Sequence, residues 1–201
     1  FPKPVSPPTI EASITYTFFD SSGVERKDTP IKIEDFVSLN MKPLLNYVFF
    51  DHNSDVIPSR YVLFTPQEAE KFRLESLTEK DILQTYYYVL NIVGKKLKED
   101  PTATITLVGT NSGKDEEKNN LDLSKRRALA VKQYFTKVWG IDESRIFVEA
   151  RNLPKEPSNP KELQGEEENR RVEILTDNLR ILEPILAVDT LRKVERSKII
   201  F

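Results

Sequence analysis

The sequence predicts an α+β fold, a two-layer sandwich with helices covering one face of a sheet. Two segments carry apolar residues at helical spacing, and four short runs have the composition or alternation of strands. Their order is strand, helix, strand, helix, strand, strand, a βαβαβ-β arrangement that implies layered α and β packing. β-rich extensions flank this unit on both sides.

Residues 1–8 hold four prolines and read as an extended linker. Ile10, Ala12, Ile14 and Tyr16 alternate with polar residues as in a half-buried strand. Asp20-Ser21-Ser22-Gly23 has turn chemistry, and a more polar strand follows over Val24–Ile33. Leu44–Phe50 is a near-continuous apolar run, expected for a strand buried on both faces. Residues 58–78 read as an insert with a short helix after Thr65-Pro66, where threonine caps and proline fits the first turn. From Thr78 and Asp81 a longer helix is expected to Glu99, burying Ile82, Tyr86, Val89, Val93 and Leu97.

Thr104–Val108 then alternates up to Gly109. A polar loop, 110–120, leads into a second helix over Leu121–Trp139, with Ala128, Val131, Phe135 and Val138 inward and Gly140 as a left-handed stop. Arg145–Glu149 is the next strand, a proline-rich loop spans 152–165, and Arg171–Leu175 closes the sheet. The tail 176–201 is ambiguous, with strand-like runs at 179–184 and 185–188. The domain division is 1–40 as linker and hairpin, 41–177 as the main domain, and 178–201 as the start of a further β module.

Composition excludes many functions. Acids and bases nearly cancel, with a formal charge of -2, so general nucleic-acid binding lacks its basic footprint. No cysteine is present and His52 is the single histidine. Thiol chemistry, thiolate metal sites, multi-imidazole zinc sites and most hydrolase triads are therefore excluded. No apolar run approaches the roughly 20 residues of a membrane-spanning helix. Phe1-Pro2-Lys3-Pro4 lacks signal-peptide character, so an export signal is expected upstream.

Five motifs in order carry a family resemblance over about residues 44–176. They are Phe50-Asp51-His52-Asn53-Ser54, Gly109-Thr110-Asn111-Ser112, Asn120-Leu121-Asp122-Leu123-Ser124-Lys125-Arg126-Arg127-Ala128, Gly140-Ile141-Asp142-Glu143-Ser144-Arg145-Ile146, and Asn169-Arg170-Arg171-Val172-Glu173-Ile174. The chain resembles the OmpA-like, peptidoglycan-associated domain family. The resemblance implies a non-catalytic module that needs no cofactor and lies in the periplasm of a diderm bacterium. It would anchor an outer-membrane or periplasmic protein to the cell wall.

The family's pocket holds the diaminopimelate side chain of the peptidoglycan stem peptide. By resemblance, Arg127 takes the ligand carboxylate, Asn120 hydrogen-bonds it, and the Thr110, Asn111, Ser112 segment faces the ligand amine. A guanidinium fork suits a carboxylate. Where the family has an aspartate this chain has Ser112, or Asn111 if one gap is allowed. Losing a charge-assisted hydrogen bond of about 1.5–3 kcal/mol weakens binding roughly 10- to 100-fold. Asp115 or Glu116 could reach in from the loop instead. The alternative function is a scaffold that has lost cell-wall affinity and mediates protein–protein contacts in a larger surface assembly.

The remaining charged residues have plainer expectations. Arg170 and Arg171 lock the preceding loop or strand-end carbonyls, and Arg126 faces solvent or a neighbouring acid. His52 is a structural strand-end histidine. Asp115-Glu116-Glu117-Lys118 and Glu166-Glu167-Glu168 are solvated loops, the latter not a metal site. Tyr86-Tyr87-Tyr88 is core and rim.

Overall fold

The computed structural model describes residues 18–19, 22–26 and 33–194. The expected linker at 1–8 and strand at 10–16 lie outside the described residues. Phe1–Ser38 with Val188–Phe201 form one compact unit and Leu39–Ala187 a second. In the first, Phe18–Phe19 (β1) pairs antiparallel with Glu25–Arg26 (β2). The turn between them includes Gly23 at φ +81°. Ile33–Lys42 (β3) pairs with Ile185–Val194 (β8) in a two-stranded sheet, so the two flanking segments share hydrogen bonds.

The larger unit is built on a four-stranded sheet. Its strands are Tyr47–Phe49 (β4), Ile105–Gly109 (β5), Ile146–Ala150 (β6) and Arg171–Leu175 (β7), in the order β4-β7-β5-β6. β5 and β6 run parallel; β7 is antiparallel to both β4 and β5. The helices are Pro66–Lys71 (α1), Ile82–Tyr86 (α2), Val89–Glu99 (α3), Leu121–Trp139 (α4) and Leu163–Asn169 (α5). α4 packs across β5 and β6 and against α3. The core joins Val89, Val93 and Leu97 of α3 with Ala128, Val131 and Phe135 of α4 over Leu107, Val172 and Ile174 of the sheet. This is the expected α+β sandwich, with a sheet covered by helices.

Several elements differ from expectation. β4 is three residues long and lies at the sheet edge, so Tyr47 and Phe49 are only half-buried while Val48 is fully buried. The insert satisfies part of that edge: the Tyr61 hydroxyl accepts the Phe49 N–H at 2.8 Å. The helix expected over 81–99 is broken into α2 and α3. The Tyr87 carbonyl is taken by the Val62 N–H at 2.9 Å and the Tyr88 N–H bonds three residues back to Thr85, so the regular ladder stops there. Ile82, expected inside, is 61% exposed on α2.

The acidic run at 166–168, read as loop, lies on α5. Val138, expected in the inward stripe of α4, is half-buried, and Trp139 takes the inner position. α1 does begin at Pro66, with Thr65 and Glu68 closing a reciprocal capping box. α4 has the expected limits, from its Asn120 cap to Gly140 at φ +66°.

Candidate functional site

The end of β5 meets the start of α4 at very short range. A Cβ on Gly109 would lie 1.8 Å from the Ser124 carbonyl oxygen, so only glycine permits this approach. The close fit brings Thr110, Asn111 and Ser112 beside Asn120, Ser124 and Arg127. The Asn111 amide donates to the Asn120 carbonyl at 3.1 Å, Ser124 Oγ at 3.0 Å and Asn152 Oδ1 at 3.3 Å. Its oxygen accepts the Gly113 N–H at 2.8 Å. Thr110 Oγ1 donates to the Asn169 carbonyl at 2.7 Å, and Asn120 Oδ1 caps α4 by accepting the Leu123 N–H at 3.0 Å.

Arg127 is fully buried. Its Nε donates to the Ser54 carbonyl at 2.8 Å, Nη1 to the Thr110 carbonyl at 3.0 Å, and Nη2 to the Asp51 carbonyl at 3.1 Å. Nη2 and Nη1 also donate to the two carboxylate oxygens of Glu117, at 2.6 and 3.4 Å. These five bonds equal the number of N–H groups a guanidinium owns. Below it the Phe50 ring lies 5.6 Å from Cζ.

Glu117, also fully buried, lies on the short 3-10 turn Asp115–Glu117. It takes the Asn53 N–H on one oxygen and the Ser112 N–H on the other, each at 2.8 Å. Burial pushes its carboxyl up, but the hydrogen bonds from Arg127 and the Ser112 N–H, the Arg127 charge and the Asn53 N–H outweigh it. The net position is below the ordinary carboxylate value.

All five expected ligand residues thus gather at one place, and their polar groups are engaged by protein partners. The acid that joins them is Glu117, part of the run expected as a solvated loop and next to the named candidates Asp115 and Glu116. Those two are exposed, and Glu116 pairs with His52 at 3.1 Å. His52 is itself about half exposed in the turn after β4.

The other arginines divide sharply. Arg126 pairs with Asp55 at 2.7 Å. Arg171 donates to the Glu168 and Glu156 carbonyls, pairs with Glu173 at 2.8 Å and lies 4.4 Å over Tyr47, locking the loop as expected. Arg170 is 7% exposed, yet its guanidinium bonds to no described residue, and its Nε is enclosed without a partner. It lines an open cleft of about 560 Å³ beside the Arg127 pocket. Phe49, Asp51 and His52 form one wall, Gln164, Glu167 and Glu168 of α5 another, and Arg60 from the insert a third. Arg60 is committed to Asp51 at 2.9 Å and to the Phe49 carbonyl at 3.0 Å. Among the described residues no cluster of three or more acids or histidines could hold a metal ion.

Residues 78–170 match the OmpA family. The resemblance read from the five motifs is therefore borne out over the segment that holds α2 to α5. Outer membrane protein A of Bordetella avium is 35% identical over 86 residues, which cover 43% of this chain and 44% of the relative. The chain thus spans less than half the length of that OmpA relative. Among solved structures, the peptidoglycan-associated lipoprotein of Burkholderia pseudomallei aligns over 66% of this chain and 91% of its own, at 19% identity and a TM-score of 0.45. The C-terminal domain of Helicobacter pylori MotB aligns over 67% and 85%, at 16% identity and 0.45. Among the described residues no helix is long and apolar enough to cross a membrane.

Proposed function

We propose that this chain is a non-catalytic OmpA-like module that anchors an envelope protein to peptidoglycan in the periplasm, using Arg170 rather than Arg127 as its carboxylate receptor. OmpA-family domains commonly bind peptidoglycan, and the family match includes Arg127 and ends at Arg170. The observation that carries the reading is the contrast between the two guanidinium groups. Arg127 is saturated by five internal bonds, whereas Arg170 is almost as buried and has none. Only the Nε of Arg170 is enclosed; the terminal nitrogens open onto the cleft, so a carboxylate entering there would meet donors that no protein group has taken.

Glu167 and Glu168, on the last turn of α5 just before Arg170, are exposed and line the same cleft. They suit the ammonium of a zwitterion such as the diaminopimelate end of a stem peptide. No residue is asked to do covalent chemistry.

The test is co-sedimentation of the whole chain with purified peptidoglycan. Retention by the unaltered chain, lost at least tenfold in Arg170→Met, is the expected result. A second reading, a scaffold for protein contacts without cell-wall affinity, is favoured by Ser112 in place of the family acid and by Glu117 filling the Arg127 pocket. No retention at any salt concentration would support that second reading and end the first.

A further inference from the structure

The segment 113–120, Gly-Lys-Asp-Glu-Glu-Lys-Asn-Asn, contains no apolar side chain. Asp115, Glu116, Lys118 and Asn119 are exposed, and Glu117 is its one buried residue. Nothing hydrophobic therefore holds this loop down. It is fastened by the Glu117 carboxylate inside and by two peripheral contacts, the Lys114–Glu166 ion pair and the His52–Glu116 hydrogen bond. Three of its residues have positive φ: Gly113 at +71°, Asp115 at +44° and Asn119 at +58°. For the two non-glycines this conformation is unfavourable by roughly 1–2 kcal/mol each at most. A stretch with few apolar contacts belongs to the low-stability end of a fold.

What Glu117 does inside is chemically simple. It offers two carboxylate oxygens to the Arg127 fork and to the N–H groups of Ser112 and Asn53. Any carboxylate of similar size could offer the same four acceptor contacts. Withdrawing Glu117 alone strands a buried cation, which is expensive, but exchanging it for another carboxylate leaves every donor paired. The exchange is therefore close to balanced, while simple opening is not.

We infer that Glu117 is an internal ligand: the Arg127 pocket is a carboxylate site occupied by the chain's own side chain, and the strap 113–119 withdraws it when an external carboxylate competes. The inference goes beyond the Arg170 reading and does not rest on it. It supplies regulation, since the strap decides whether a second guanidinium is available beside the Arg170 cleft. His52, in the turn after β4, lines that cleft, and Glu166 lies next to it on α5; they hold the strap's two outer contacts. A ligand entering the cleft would disturb those fastenings.

The experiment reads the strap directly. In the unaltered chain, deuterium exchange is followed at the Ser112 and Asn53 amides, both of which donate to Glu117, and compared with the core amides of Leu107 and Val131. The expected result is that the pair exchanges together and at least tenfold faster than the core. In parallel, sodium formate is added to Glu117→Ala, with sodium chloride at matched ionic strength as control. Formate should raise its Tm by roughly 2–4 °C, a shift typical of one recovered interaction in a domain of this size, and shift the unaltered chain far less, because there it must first displace Glu117. Exchange of the two amides only at the core rate, or a folded Glu117→Ala indifferent to formate, would overturn the inference. If Glu117→Ala does not fold, the exchange result decides alone. Neither readout involves the cell wall, so each can fail without the Arg170 reading failing.

Discussion

Arg127 and Glu117 meet at 2.6 Å with both side chains fully shielded from solvent, ten residues apart in sequence and on different elements. This pair joins the start of α4 to the loop after β5, and through the Asp51, Ser54 and Asn53 backbone it also fixes the turn after β4. Removing one partner leaves the other charged and unpaired. Arg127→Met is therefore expected to destabilise the chain by about 3–5 kcal/mol, and the double change Arg127→Met with Glu117→Leu by clearly less than the sum of the two singles. Urea unfolding of the three variants checks both statements.

The same pair gives stability a pH signature. The Glu117 carboxyl titrates below its ordinary value in the folded chain, against about 4.3 when unfolded. A folded value below the unfolded one means the contribution is complete above the unfolded value and disappears as pH falls through the folded one. The stability gap between the unaltered chain and Glu117→Gln should be wide at pH 7 and close as pH drops below about 4. Glu68, Asp100, Glu116 and Asp142 are also held low by local hydrogen bonds, but these surface groups are common to both chains and cancel in the difference.

What the sequence revealed follows the strength of its local signals. α4 was legible to the residue because an asparagine cap, nineteen helical positions and a left-handed glycine agree. α5 was not, because only Gly165 and Asn169 are buried on it and no apolar periodicity marks seven such residues. The break between α2 and α3 depends on a carbonyl captured by the insert, a contact 25 residues distant in sequence that no local pattern records. The cluster of Arg127, Asn111 and Ser112 was legible through its motifs. Glu117 was hidden because three consecutive acids differ only in which one a 3-10 turn directs inward. Arg170 and Arg171 look alike in sequence, and only packing separates the locked one from the free one.

Gly109 should tolerate no side chain. A methyl there would overlap the Ser124 carbonyl of α4, backbone rather than a flexible group, so relief requires the helix to move away from β5. Gly109→Ala is expected to cost about 1–3 kcal/mol or more, as overpacking does, and to loosen the Asn111 contacts to Asn120 and Ser124. A lower thermal midpoint together with shifted amide resonances at Asn111 and Ser124 is the measurement; an unchanged midpoint would contradict the close approach.

Arg170→Met separates ligand binding from folding. The replacement removes a partly enclosed cation that has no described internal partner and keeps most of the volume beside Phe50 and α5. Replacing buried ionic groups by apolar ones of similar size is often neutral or stabilising, by up to about 4 kcal/mol for whole pairs or triads, so this variant should be no less stable than the unaltered chain. Arg127→Met, on a fully buried arginine paired with Glu117, should be severely destabilised. The same substitution at the two arginines would thus have different effects on stability, and the harmless one, Arg170→Met, should still abolish retention on peptidoglycan. A loss of more than about 1 kcal/mol in Arg170→Met would show that its guanidinium serves the fold, as Arg171 does, and would remove the reason to assign it a ligand.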